Sequence, residues 1–199
     1  DNDDSCANGA GNWTSTNSTD WDGDGCRDQF GLSWWANLTS GDSNYPNMNS
    51  LLSDQPIIDS SGNTYLLPWF KSTLYYRNTL LHSNSNANEY HAAIIKIDSS
   101  GNVSWSRHIN PSTYSTYTTA YSSIRHAYLD DNDDLILNGE YYGPLTLGNT
   151  TLPVHDPSTN SMNRFFAKLD ANGTWQWALS MGGNNFNSVL YHFGVAGNQ

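Results

Sequence analysis

Asp20, Asp22, Asp24 and Asp28 stand at positions one, three, five and nine of a loop whose sixth residue is Gly25. That spacing points alternate carboxylates at one centre, and the glycine permits the sharp turn that brings in the backbone carbonyl of Cys26. Hard oxygen donors in this order suit calcium. At position twelve, where an EF-hand carries a bidentate Glu, stands Gly31, so the shell must be completed from elsewhere, with Asp1, Asp3 or Asp4 as donors. The competing reading is an acidic, glycine-rich turn left to solvent. Cys6 and Cys26 are the only cysteines. Two cysteines far from a C-x-x-C spacing read as one structural disulfide in an oxidising compartment, closing a loop of about 20 residues worth about 3 kcal/mol in the chain-entropy model.

The stretch from Ser5-Cys6-Ala7-Asn8-Gly9 through Asn12-Trp13-Thr14-Ser15 to Asp22-Gly23-Asp24-Gly25-Cys26-Arg27-Asp28 resembles the calcium-binding repeats related to thrombospondin type 3 in large secreted microbial proteins. The resemblance implies acidic repeats in tandem, and Asp1-Asn2-Asp3-Asp4 is similar to the tail of a preceding repeat.

Elsewhere the chemistry is sparser. Asp130, Asp131, Asp133 and Asp134 surround Asn132, a second cation site or, preferred here, a solvated hairpin turn. His82, His91, His108, His126, His155 and His192 show no H-E-x-x-H spacing, and neither G-x-S-x-G nor a phosphate-binding glycine loop occurs. N-glycosylation sequons fall at Asn12, Asn17, Asn37, Asn102, Asn149 and Asn172. In a chain this rich in Asn, Ser and Thr the number matches chance, but Asn102 and Asn172 fall at predicted turns, where a glycan is accessible. Trp34-Trp35, Tyr75-Tyr76 and Tyr141-Tyr142 offer rings on which sugars stack. Because neighbours in a strand point to opposite faces, each pair is expected to place one ring inside and one outside.

The elements that must position these groups are strands. Hydrophobic residues make up 37% and charged residues only 14%, so polarity comes from Asn, Ser, Thr and Gly, which favour turns over helices. A formal charge of −11 with 8 Lys and Arg lacks the basic footprint that nucleic acid requires. No run approaches the length of a membrane-spanning helix. The N-terminus has neither an initiator Met nor a signal pattern, which reads as a mature or excised chain.

Two segments repeat. Lys96, Asp98, Gly101 and Trp105 match Lys168, Asp170, Gly173 and Trp177 at a constant offset of 72, and Asp59 with its following turn matches Asp130 at 71. Each copy reads as strand, tight turn, strand, giving about four strands per repeat. Asp59-Ser60-Ser61-Gly62-Asn63-Thr64-Tyr65 and Ala167-Lys168-Leu169-Asp170-Ala171-Asn172-Gly173-Thr174-Trp175-Gln176-Trp177-Ala178 resemble the β-propeller-type repeats of large secreted bacterial and archaeal surface proteins. The resemblance spans roughly residues 50–199 and implies four-stranded blades with a non-catalytic extracellular role. Two repeats and the start of a third do not close a ring of about four to eight blades. An open or incomplete propeller-like arrangement, or completion by other chains, is therefore expected.

The sequence thus predicts an all-β chain of antiparallel hairpin repeats. An acidic, disulfide-closed calcium segment at 1–33 precedes a β-repeat domain at 34–199, with repeats at about 50–110 and 120–182 and the start of a third at 187–199. The expected role is that of a secreted or cell-surface structural or adhesive protein, the protomer of a glycosylated filament. Assembly is expected through strand completion by Val189, Leu190, Tyr191, Phe193 and Val195, in a segment that has no Lys, Asp, Glu or Pro to blunt an edge. The rivals are a carbohydrate-binding, lectin-like module with glycan partners and a glycoside-processing enzyme, whose paired acids would converge only in three dimensions.

Overall fold

A computed structural model describes residues 38–40, 57–84, 86, 89–113, 120–155 and 162–182. The chain divides into Asp1–Trp35 and Ala36–Gln199, and every described residue belongs to the second part. Among the described residues there is no helix, and every strand pair is antiparallel.

Fourteen strands follow in order: β1 (Leu38–Ser40), β2 (Ile57–Ile58), β3 (Thr64–Leu66), β4 (Trp69–Phe70), β5 (Thr73–Tyr76), β6 (Thr79–Ser83), β7 (His91–Ile97), β8 (Val103–Ile109), β9 (Tyr121–Leu129), β10 (Leu135–Tyr142), β11 (Leu145–Leu147), β12 (Thr150–Leu152), β13 (Asn163–Leu169) and β14 (Trp175–Met181). They form the same arrangement twice. The second repeat is a four-stranded meander, β9-β10-β13-β14, with the hairpin β11-β12 inserted between its second and third strands. In the first repeat β2, β3, β7 and β8 take the corresponding places and β5-β6 is the inserted hairpin, extended by β1. Here β3 pairs with the end of β7 and β4 with its beginning. Pro68, which has no N–H to give the ladder, divides them, while its carbonyl still accepts from Ala93 N at 2.8 Å. The inserted hairpins are absent from the sequence expectation of about four strands per repeat.

The four hairpin turns of the meanders, as distinct from those of the inserted hairpins, use one local device. Asp59, Asp98, Asp130 and Asp170 each accept, on Oδ1, the backbone N–H groups two and four residues ahead, at 2.8–3.1 Å. The fourth residue takes a left-handed φ: 79° at Gly62, 83° at Gly101, 59° at Asp133 and 77° at Gly173. This is a type I turn closed by a left-handed residue, which sets the register of each hairpin.

The two meanders pack face to face. Ala92, Ile94 and Ile109 of the first repeat join Ile124, Leu137, Tyr141, Phe165 and Ala167 of the second in one buried cluster. Every residue of β7 is buried, which explains its unbroken Ala92–Ile95 run, whereas β13 alternates buried and half-buried positions. Gly139 sits where β10 shifts register against β9. A Cβ there would lie 2.2 Å from Ser123 O and 2.5 Å from the Phe165 ring, so only glycine lets the strands approach. Ser122 fastens the repeats at the end away from the Asp turns. Its Oγ donates to Ile109 O at 2.6 Å and accepts from Ala92 N at 2.8 Å.

Candidate functional site

The repeat-to-repeat seam at the Asp turns is built from three donors of the first repeat. Lys96 Nζ and Trp105 Nε1 both donate to Ala171 O at 3.0 Å, and Arg107 Nε donates to Gly173 O at 2.7 Å. The turn that accepts them must carry glycine, because a Cβ on Gly173 would lie 2.7 Å from the Trp105 indole. Lys96 is held in place by Asp59, with Nζ and Oδ2 2.8 Å apart and both side chains nearly inaccessible. Burial alone would raise the Asp59 carboxyl, but Lys96 and Asn63 hold it below the usual carboxylate range.

The same lysine device recurs in the second repeat, where Lys168 Nζ lies 2.8 Å from Asp130 Oδ2 and 2.9 Å from Asp134 Oδ2. This resolves the acidic turn at Asp130. Its Oδ1 caps the turn, Asp133 accepts from Ser60 N and Oγ of the first repeat, and lysine is the cation held. Among the described residues no group of His, Cys, Asp and Glu has the geometry to hold a metal ion.

Beyond Lys168 the second repeat has an open face. The ladder between β13 and β14 pairs Lys168 with Trp177, Phe166 with Leu179 and Arg164 with Met181. Trp177 and Met181 are each 39% exposed and Leu179 is 63% exposed. The equivalent pairs of the first repeat, Lys96 with Trp105, Ile94 with Arg107 and Ala92 with Ile109, lie under the second repeat. Toward the end of the open face away from the Asp turns, Glu140 receives Arg125 Nε at 2.8 Å and Arg164 Nη1 at 2.9 Å.

A second constellation escaped the sequence reading. His82, His91 and His108, remote in any motif sense, meet where β6, β7 and β8 converge. His91 Nδ1 lies 2.9 Å from His108 Nε2, the His82 and His108 rings are 5.2 Å apart, and Phe70 stacks beside both. Burial lowers all three; the neighbouring imidazoles press His108 down further, to about 3, and Arg107 adds to the lowering at His82. Glu89, 3.4 Å from His91 Nε2, opposes the lowering at His91. The signal available in the sequence was the 72-residue repeat, which places His91 and His108 opposite Asn163 and Ser180.

The calcium loop (Asp20, Asp22, Asp24, Cys26, Asp28, with Asp1, Asp3 or Asp4), the Cys6–Cys26 pair, the sequons at Asn12, Asn17 and Asn37, Trp34-Trp35, His192 and the assembly strand from Val189 to Val195 lie outside the described residues. Asn102, Asn149 and Asn172 are exposed on hairpin turns. Of the aromatic pairs, Tyr76 and Tyr141 are buried while Tyr75 and Tyr142 are half-buried, the alternation expected of strands. A cleft of about 380 Å³ opens beside β14 and the β11-β12 hairpin, lined by Asn149, Trp175, Gln176 and Trp177 among others of the second repeat and by Arg107 of the first. Neither protein-family models nor curated proteins give a match to this chain.

Proposed function

We propose that this chain is a non-enzymatic structural or adhesive protein, secreted or displayed at a cell surface, whose repeats serve as propeller-type blades that stack in series with like units. The observation that carries this reading is the open face of the second repeat. It presents Trp177, Leu179 and Met181 to solvent in the positions with which the first repeat covers itself against the second. A contiguous apolar sheet face marks a contact surface. The β14 edge offers a further route. Among the described strands β14 pairs with β13 alone, so its outer edge is open to strand completion by a segment such as Val189–Val195. Calcium at Asp20, Asp22, Asp24 and Asp28, the Cys6–Cys26 bridge and glycans at exposed turns belong to the same extracellular proposal.

Sedimentation velocity and electron microscopy of the full chain at rising concentration test it. Deletion of residues 187–199 removes the edge route and should abolish assemblies of this chain while the circular dichroism spectrum stays native. Assemblies indifferent to that deletion overturn the reading. The cleft beside Trp175 and Trp177 supports the second reading, a saccharide-binding module, because indoles, amides and a guanidinium are the groups that stack on and hydrogen-bond sugars. Quenching of tryptophan fluorescence by cellobiose or chitobiose, lost in Trp177→Ala, would favour that reading instead.

A further inference from the structure

We infer that the open face of the second repeat is a receptor for the Asp-x-x-Gly turn between the third and fourth strands of a further repeat, with Lys168 and Trp177 donating to one carbonyl of that turn. The inference rests on the assembly reading and names the partner.

The chain contains a worked instance of the contact. In the first repeat Lys96 and Trp105, paired across β7 and β8, converge on Ala171 O, the residue after the turn's Asp170, and the Trp105 indole lies over Gly173. Lys168 and Trp177 are paired in the same way across β13 and β14, and Lys168 is oriented by Asp130 as Lys96 is by Asp59. The same two donors stand at the same register, the lysine oriented by the equivalent carboxylate and, in the second repeat, by Asp134 as well. The incoming turn must carry glycine at its fourth position, since any Cβ there would strike the Trp177 indole as it would strike Trp105.

The differences between the two faces refine the partner. Leu179 replaces Arg107, so the donor to the turn's glycine carbonyl is lost and the contact becomes more apolar. Asp131 stands where Ser60 contacts Asp133. An acid at the Asp133 position of the incoming repeat would therefore face a carboxylate, and a neutral residue is required. Arg164 replaces Ala92, so the partner's far end must be polar. The partner's own inward face must also be free. In this chain the corresponding residues of the first repeat, Ala93, Ile95 and Ile97, are fully buried, so a second folded copy has no such face to offer. The occupant is a further repeat with that face uncovered.

The test extends the full chain by inserting a second copy of residues 111–182, which keeps the 72-residue offset and carries Asp133→Asn, directly after Gly182, with Leu179→Cys in the original repeat. The rate of maleimide labelling at that thiol is read against the same background without Leu179→Cys. Docking should slow labelling by about tenfold or more relative to the unextended chain, as protection scales with the closed population. Gly173→Ala in the inserted copy should restore it. Labelling at the unextended rate, whether the inserted copy stays unfolded or folds apart, overturns the inference. So does protection that grows with concentration in the unextended chain, which would make a second copy the occupant. The assembly reading fails separately, if deletion of residues 187–199 leaves assemblies intact, whatever the labelling shows.

Discussion

At the end of each meander away from the Asp turns, the two repeats place different chemistry on one backbone. In the second repeat Tyr141 pairs across the ladder with Asn163 and Phe165 with Ser180. Asn163 Oδ1 accepts from His155 N, His155 Nε2 meets Ser180 Oγ at 2.9 Å, and Tyr141 OH donates to Pro153 O at 2.7 Å. In the first repeat the same register pairs Phe70 with His91 and Ala93 with His108. Three imidazoles fill the space, and the buried Nε2 of His82 has no hydrogen-bond partner. One repeat is closed by a hydrogen-bonded network around a single imidazole and the other by a cluster that stays neutral only while protons are scarce. The outer faces differ in the opposite sense. The first repeat is covered and the second is open, although both present the same lysine and tryptophan. Burial here is decided by what lies next in space, not by the strand's own residues.

The largest effect should come from the core that makes the repeats one body. Leu137, fully buried in the shared cluster, should cost about 4 kcal/mol as Leu137→Ala. Thermal unfolding should remain a single transition for both sheets; separate transitions would show that the repeats are independent.

Lys96→Met should cost about 3 kcal/mol, because it strands the nearly inaccessible Asp59 carboxylate and removes the donor to Ala171 O. Lys168→Met, in the half-open copy of the same device, should cost about 1 kcal/mol. Equal losses in urea titrations would erase the contrast between covered and open faces.

Gly173→Ala should cost about 2 kcal/mol, through both its left-handed φ and overlap with Trp105, while Gly62→Ala, whose added Cβ meets only Ser99 at 3.9 Å, should cost about 1 kcal/mol. Denaturant midpoints of the two variants separate backbone strain from the seam contact.

The smallest effect is the pH dependence. His108 titrates near 3 in the folded chain and near 6.5 when unfolded. The unfolded state therefore binds the extra proton between those values, and stability is full above about 6.5 and declines as pH falls toward 3. After allowance for the part-exposed ring, the loss should reach about 1 kcal/mol by about pH 5. His108→Ser, the residue of the second repeat, should flatten the decline in melting temperature over that window. An unchanged profile would place the acid sensitivity elsewhere.

Much of this was legible along the chain because it is local. Asp59, Asp98, Asp130 and Asp170 announce their turns through a side-chain oxygen that reaches only two and four residues ahead, and the 72-residue offset aligns Lys96 with Lys168 before any coordinate is known. The inserted hairpins were less legible, since short segments such as Thr73–Tyr76 and Leu145–Leu147 are too brief for period-two alternation to register. The acidic turn at Asp130 read as a solvated turn, with a cation site as its rival, because nothing in its own residues shows that Lys168, 38 positions later, supplies the charge.

By itself the sequence determined the all-β class, the repeat and the four capped turns, since each depends on contacts within a few residues or on direct comparison of two segments. Only the tertiary structure decided that His82, His91 and His108 meet, that Lys96 and Trp105 share one carbonyl of the neighbouring repeat, and that Trp177 and Leu179 are left uncovered. Those are contacts between strands far apart in the chain, set by sheet packing, and a strand's residues carry no record of which face another sheet will cover.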